Sequence, residues 1–380
     1  MKELALAFLR LGFTAFGGPA AHIAMMEDEF VRRRKWLSRE EFLDLMGAAS
    51  LLPGPSSSEM AIFIGHRRAG WRGLLIAGIC FILPAALIVV AIAWAYVRYN
   101  NLPAVSGLLY GIKPVIVAVV LQAVWGLGRT AVKTRFLAFV GLCAMAASAS
   151  GVNIPLLLLS AGLFSAVSWT YRERKHSKAK LAALLFAMCS ILPVKSVLAS
   201  PTVVAKIPAT LIRIFLFFAK IGSIQFGSGY VLLAFLRADL VERWHWLSEG
   251  QLLDATAVGQ FTPGPVFTTA TFIGYLLHGP WGAVLATFGI FLPAFLLVAA
   301  SGAFVPKLRK SKFAGAFLDG VNVASLALMA VVTWQLGHAS LIDIPTVVLA
   351  VVSAFGLIRF RVNSVWLILF GGFIGFVLRS

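Results

Sequence analysis

Apolar residues run along this chain in long blocks divided by short polar or basic stretches. In the first half the blocks cover about 4–26, 42–65, 73–97, 104–127, 136–150 and 153–170. Runs such as Gly73–Tyr96, Ala104–Leu127 and Ala283–Phe304 are long enough to cross a bilayer as helices. The second block differs, because Leu52-Pro53-Gly54-Pro55 falls near its middle and Pro-Gly-Pro stops a helix. Its arms, 42–51 and 56–65, would each give about 15 Å of helix, half the hydrocarbon core. That length predicts a re-entrant hairpin, which leaves five crossings in each half.

The pattern is written twice. Pro53-Gly54-Pro55 returns as Pro263-Gly264-Pro265 at an offset of 210 residues, and so do Phe16-Gly17, Trp36-Leu37-Ser38 and Asp44 as Phe226-Gly227, Trp246-Leu247-Ser248 and Asp254. After a one-residue deletion the offset is 209: Phe63-Ile64-Gly65 matches Phe272-Ile273-Gly274, Leu83-Pro84 matches Leu292-Pro293, and Trp125 matches Trp334. So many Trp, Pro and Gly residues in fixed order predict a duplicated transporter-like architecture. The halves are 1–176 and 208–380, joined by a linker at 177–207. The apolar stretch Leu181–Leu192 in that linker, ended by Pro193 and Lys195, is read as a short interfacial or re-entrant segment; a crossing there would instead make the halves parallel.

Composition fixes the class. Sixty per cent of residues are hydrophobic, 13% are charged and the mean hydropathy is +0.90, so the chain is an all-α integral membrane protein. The first apolar block lacks the basic start and small-residue cleavage site of a signal peptide. The net charge of +18 is read as basic cytoplasmic loops, not nucleic-acid binding. An odd number of crossings per half inverts the second half, and the basic residues agree. The stretches 31–39, 66–72, 129–135, 172–180, 307–312 and 359–361 then lie inside with 22 Lys and Arg. Lys2, Arg98, Arg237, Arg243 and Arg379 lie outside. The expected fold is therefore two inverted-topology repeats, each with about five crossings and one re-entrant Pro-Gly-Pro hairpin.

Candidate chemistry gathers at the breaks. After Pro55 a helix should begin, so the free N–H groups and hydroxyls of Ser56, Ser57 and Ser58 face the break at a positive helix end. Thr268 and Thr269 supply hydroxyls in the second copy, where Val266 and Phe267 replace two serines. A purely structural turn is the bland alternative. Gly17, Gly18 and Gly227 either expose amides to an anion or allow close helix packing. Arg10 and Lys220 match across the repeat and either balance a dianion's charge or snorkel to an interface. Lys113, opposite Asn322 in the repeat, is an asymmetric candidate cation. Glu59, one turn past the break, suits proton coupling, with an ion pair as the alternative. Asp44 and Asp254 are read as caps or ion-pair partners, and His22 as a packed histidine. Cys80, Cys143 and Cys189 have no metal spacing, and no nucleophile–base pair is visible, so neither cofactor nor metal nor enzymatic activity is expected.

The chain resembles the chromate ion transporter family in its long two-domain form. The resemblance rests on Phe16-Gly17-Gly18-Pro19, Trp36-Leu37, Leu52-Pro53-Gly54-Pro55 and Gly70-Trp71-Arg72-Gly73. It continues in Phe226-Gly227, Trp246-Leu247, Thr262-Pro263-Gly264-Pro265 and Trp281-Gly282. It covers nearly all of the chain outside the linker. What it implies is export of chromate, a tetrahedral dianion, across the plasma membrane, without cofactors. Short family members work as pairs of opposite orientation, which accords with inversion. The second copy departs from the pattern at Ser228-Gly229 and Thr262, so a strictly symmetric site is not implied. The partners expected are an inorganic oxyanion (chromate, or sulfate as the alternative), membrane lipid and a second copy in a homodimer, with no nucleic acid. Exchange of another oxyanion and an anion channel are the competing functions, with an intramembrane lipid-phosphate enzyme a distant third.

Overall fold

The computed structural model describes residues 1–16, 18–99, 102–150, 152–173, 208–226, 229–301, 311–360 and 362–379. The linker reading at 177–207, Cys189, Gly17 and Gly227 fall outside these residues. The described chain is all-helical, with no strand. In the first half it forms α1 (Lys2–Thr14), α2 (Gly18–Glu27), α3 (Arg39–Ala49), α4 (Ser56–Tyr99), α5 (Pro103–Ala131), α6 (Arg135–Ala149) and α7 (Ile154–Glu173). In the second it forms α8 (Leu211–Ile224), α9 (Leu232–Leu236), α10 (Glu249–Phe261), α11 (Thr269–Ser301), α12 (Lys312–Ser340), α13 (Ile344–Arg359) and α14 (Ser364–Arg379). Four of these helices, α4, α5, α11 and α12, are long and apolar enough to cross a membrane. The chain is a multi-pass membrane protein.

Local chemistry repeats with the sequence. Ser38 and Glu41 form a capping box that starts α3, and Ser248 and Gln251 form the same box on α10. Both α2 and α9 run on into a π-helical turn, Asp28–Arg33 and Arg237–Arg243, ended by Lys35 and His245 at the same φ of 52°. Helix α4 reverses at Ala69–Gly70 and α11 at His278–Gly279, again with matching dihedrals. At these reversals the two arms touch backbone to backbone: a Cβ on Gly65 would strike the carbonyl of Gly73, and one on Gly274 that of Gly282.

One expectation is corrected. Block 4–26 reads as a single crossing, yet α1 ends at Thr14 and Ala15 is extended, with α2 beginning only at Gly18. The apolar pattern carries no sign of this stop, since the Phe16-Gly17-Gly18-Pro19 break is itself apolar.

Packing crosses between the halves. Helix α5 lies against α13 and α14, α12 lies against α6 and α7, and α5 and α12 lie against each other. They run antiparallel, with Gly128 beside Leu326, Val117 beside Gly337, and Lys133 paired with Asp319 at 2.7 Å. Along α4, Leu74, Ala77, Phe81, Ala85, Val89 and Ala93 are buried, while Trp71, Leu75, Ile79, Leu83, Leu87 and Trp94 are exposed. That stripe is untenable in water and suits lipid, with Trp at each end as in an interfacial belt.

Candidate functional site

Each half contains two breaks, one after its first helix and one at Pro-Gly-Pro, and the breaks meet across the halves. The Gly54 N–H donates to the carbonyl of Gln225, which follows α8, at 2.7 Å. The Gly264 N–H donates to the carbonyl of Ala15, which follows α1, at 2.8 Å. These are repeat-equivalent bonds, each joining one half's Pro-Gly-Pro loop to the other half's broken first helix. Both loops need glycine. Gly54 and Gly264 have φ of 138° and 89°, and a Cβ would stand 2.7 Å from the Glu59 carboxyl and 2.7 Å from the Ala85 Cβ, respectively. Two irregular backbones are thus satisfied by each other, as burial away from water requires.

The loops lead into helices whose first turns are buried. Ser57, Ser58 and Glu59 are 3%, 0% and 0% exposed, and Thr268 and Thr269 0% and 2%, while Ser56 is half-buried. The Pro55 carbonyl accepts from the Ser58 and Glu59 N–H groups, and the Pro265 carbonyl from that of Thr268. The N–H groups of Ser56 and Ser57, at the first two helical positions, have no partner within the helix. The Thr268 and Thr269 hydroxyls donate back to the carbonyls of Pro265 and Val266 at 2.8 Å, leaving their lone pairs. Ser58 Oγ and both carboxyl oxygens of Glu59 have no hydrogen-bond partner among the described residues. Gly18 has φ of 77° with open space where a Cβ would lie.

The matched cations stand differently. Arg10 is exposed. Lys220 is ion-paired with Asp239 at 3.2 Å on the wall of a cavity of about 650 Å³, which Arg237, Arg243, Glu242 and Asn153 also line. Lys113 and Asp254, singled out separately in the sequence, are brought together at 3.4 Å, and the Tyr96 hydroxyl donates to Asp254 at 2.9 Å. Asp44, the match of Asp254, is exposed. His22 is buried edge-on to Phe81. Sequence reasoning missed Ala15, Gln225 and Tyr96. The first two were signalled only by their place before the matched Phe-Gly pairs. No group of three metal-binding side chains occurs among the described residues.

Paired broken helices meeting inside a multi-pass helical bundle are the build of a membrane transporter. The chromate transporter family pattern matches residues 2–166 and again residues 212–376, and the chain belongs to that family. It is 32% identical over 363 residues to the chromate transport protein of Cupriavidus metallidurans, covering 95% of this chain and 88% of that one. It is also 32% identical to the probable chromate transport protein of Synechococcus elongatus (93% and 88% covered). To the chromate transport protein of Pseudomonas aeruginosa it is 30% identical (99% and 92% covered). No solved structure matches the chain at a significant level.

Proposed function

We propose that the chain exports chromate across the plasma membrane by alternating access between two inverted repeats, 1–176 and 208–380. The observation that carries this reading is the reciprocal pair of bonds, Gly54 to Gln225 and Gly264 to Ala15, which gathers four backbone breaks around buried hydroxyls. Such breaks are tolerated at membrane depth where they line a binding site. The anion binds at Pro53-Gly54-Pro55 and Pro263-Gly264-Pro265. The amides and hydroxyls of Ser56, Ser57 and Ser58 hold it on one side, and the hydroxyls of Thr268 and Thr269 line the other. Gly17, Gly18 and Gly227 give it backbone access. Lys220, on the cavity wall, attracts it at the mouth, and Arg10 does so at the opposite end.

Two further observations support the inversion. Arg67 pairs with Glu41 and Arg68 lies over Trp36, so the arms of the first Pro-Gly-Pro hairpin begin and end near each other. The cavity lined by 148–149, 152–155 and residues between 234 and 243 joins the end of α6 to the second half's π turn. The first half's equivalent turn lies instead with the basic stretch 66–72. Opposite ends for matched turns are what inversion requires.

The membrane potential favours this direction. An inside-negative potential is worth about 2.3 kcal/mol per charge per 100 mV, and twice that for a dianion leaving the cell. Glu59 adds a means of proton coupling, because a buried carboxyl with no hydrogen-bond partner among the described residues can exchange its charge for a proton. Chromate efflux from loaded proteoliposomes tests the reading. Pro53→Ala/Pro55→Ala and Ser56→Ala/Ser57→Ala should abolish efflux while membrane insertion persists, and intact efflux would sink the site. Saturation and counterflow should distinguish the carrier from a channel, and a sulfate arm the two oxyanions.

A further inference from the structure

Lys113 and Asp254 form an ion pair that no repeat-equivalent pair matches. Lys113 lies ten residues into α5, about 15 Å of helix, or half the hydrocarbon core. Its ammonium stands 3.4 Å from Asp254, a side chain only 4% exposed and the most enclosed acid among the ion pairs of the described residues. The Lys113 side chain itself is 26% exposed. Gly250, one turn before Asp254, leaves room for the ammonium, since a Cβ there would stand 3.3 Å from Nζ. Tyr96 from α4 donates to the other carboxylate oxygen and packs edge-on against Phe272 of α11.

The duplication acts as an internal control. The first half builds the same capped arm, α3, but leaves Asp44 exposed, and Asn322 stands on α12 where Lys113 stands on α5. The fold is therefore made without this pair once already. An enclosed Lys–Asp pair whose lysine has no counterpart in the other copy, where Asn322 stands, points to function, not to a folding requirement. The pair also tethers α10, the arm that leads directly into Pro263-Gly264-Pro265, to the first half.

We propose that Lys113 is the cation that meets the transported oxyanion, and that Asp254 holds it in the empty protein. The anion replaces Asp254 as the partner of the ammonium. That exchange loosens the second hairpin from α5 at the moment of loading. Lys113 is thus a binding residue and Asp254 a positioning residue. The exchange rests on the anion-transport reading above, but not on chromate as the particular anion.

The test is transport in proteoliposomes together with thermal stabilisation of the purified protein, each with chromate and with sulfate. Lys113→Gln should raise the KM about tenfold or more and remove the stabilisation, as expected for loss of one charge-assisted contact. Lys113→Arg should keep most of both. Asp254→Asn should lower the KM and lower turnover, because the ammonium then has no internal competitor. The charge swap K113D/D254K should leave transport absent although the pair is restored. Recovery of transport by the swap, or an unchanged KM in Lys113→Gln, would overturn the proposal in favour of a structural latch. If the wild-type protein moves sulfate but not chromate, the substrate reading falls and the exchange is read on sulfate in the same variants. If neither anion is moved or stabilises the protein, both readings fall.

Discussion

Gly54 combines two constraints that a single substitution separates. Its φ of 138° is closed to ordinary side chains, and a Cβ would stand 2.7 Å from the Glu59 carboxyl. Gly18 carries the first constraint alone, with φ of 77° and open space around it. Gly54→Ala should therefore cost about 1–3 kcal/mol and displace Glu59, whereas Gly18→Ala should cost only the backbone part, about 1 kcal/mol. Thermal unfolding in detergent orders the two, and equal losses would remove the steric role of Glu59. Glu59→Gln should leave chromate efflux measurable but flatten its dependence on pH, if the carboxyl is the proton carrier. At this scale the sequence was informative about residue types. Pro-Gly-Pro, the serines, Glu59, Lys113 and Asp254 were all legible as unusual. Which of them touch was not legible, because the 3.4 Å contact between Lys113 and Asp254 depends on how two helices of different halves cross.

Helices α5 and α14 show why elements from opposite halves cannot be pulled apart. A Cβ on Gly111 would run into the carbonyl of Gly371 and stand 2.8 Å from the Cα of Gly375, so the two backbones are in direct contact. Without a hydrophobic drive between helices in lipid, such close approach by small residues is what holds them. Gly111→Val should force α5 off α14 and cost about 1–3 kcal/mol by overpacking. Gly126→Ala on the same helix, where nothing lies within 4 Å, should instead stabilise by about 0.5–1 kcal/mol. Unfolding midpoints of the two variants moving in opposite directions would bear this out. The apolar blocks predicted α3 to α7 well, since bilayer-length hydrophobicity and a helix-breaking Pro-Gly-Pro are local signals. They did not predict the stop at Ala15, whose carbonyl is satisfied by Gly264 more than 240 residues along the chain. Nor did they predict that α13 and α14 would pack on α5, since a lipid-facing helix and an exchanged one share the same apolar pattern.

For the whole molecule the decisive quantity is orientation, because the proposed cycle needs the two hairpins to enter from opposite faces. Lys133 and the loop before α13 are matched positions, following α5 and α12. If the halves are inverted, Lys133 faces the cytoplasm and Ile342 the outside. If they are parallel, both face the same side. Each is exposed, as are Arg32 in the first basic stretch and Leu102 between α4 and α5. Cysteines placed at 32 and 133, and at 177 and 310 in two further basic stretches, should react with an impermeant maleimide only from the cytoplasmic side. Cysteines at 102 and 342 should react only from outside. The ion pair of Lys133 with Asp319 ties the end of α5 to the start of α12, and the Tyr110 hydroxyl, near the start of α5, donates to Asp343 after α12 at 2.6 Å. The two long helices therefore bring unlike ends of their repeats together at each face. Labelling of 133 and 342 from one side would require the halves to be parallel. The Pro-Gly-Pro hairpins would then open to the same face, and alternating access between them would have no structural basis.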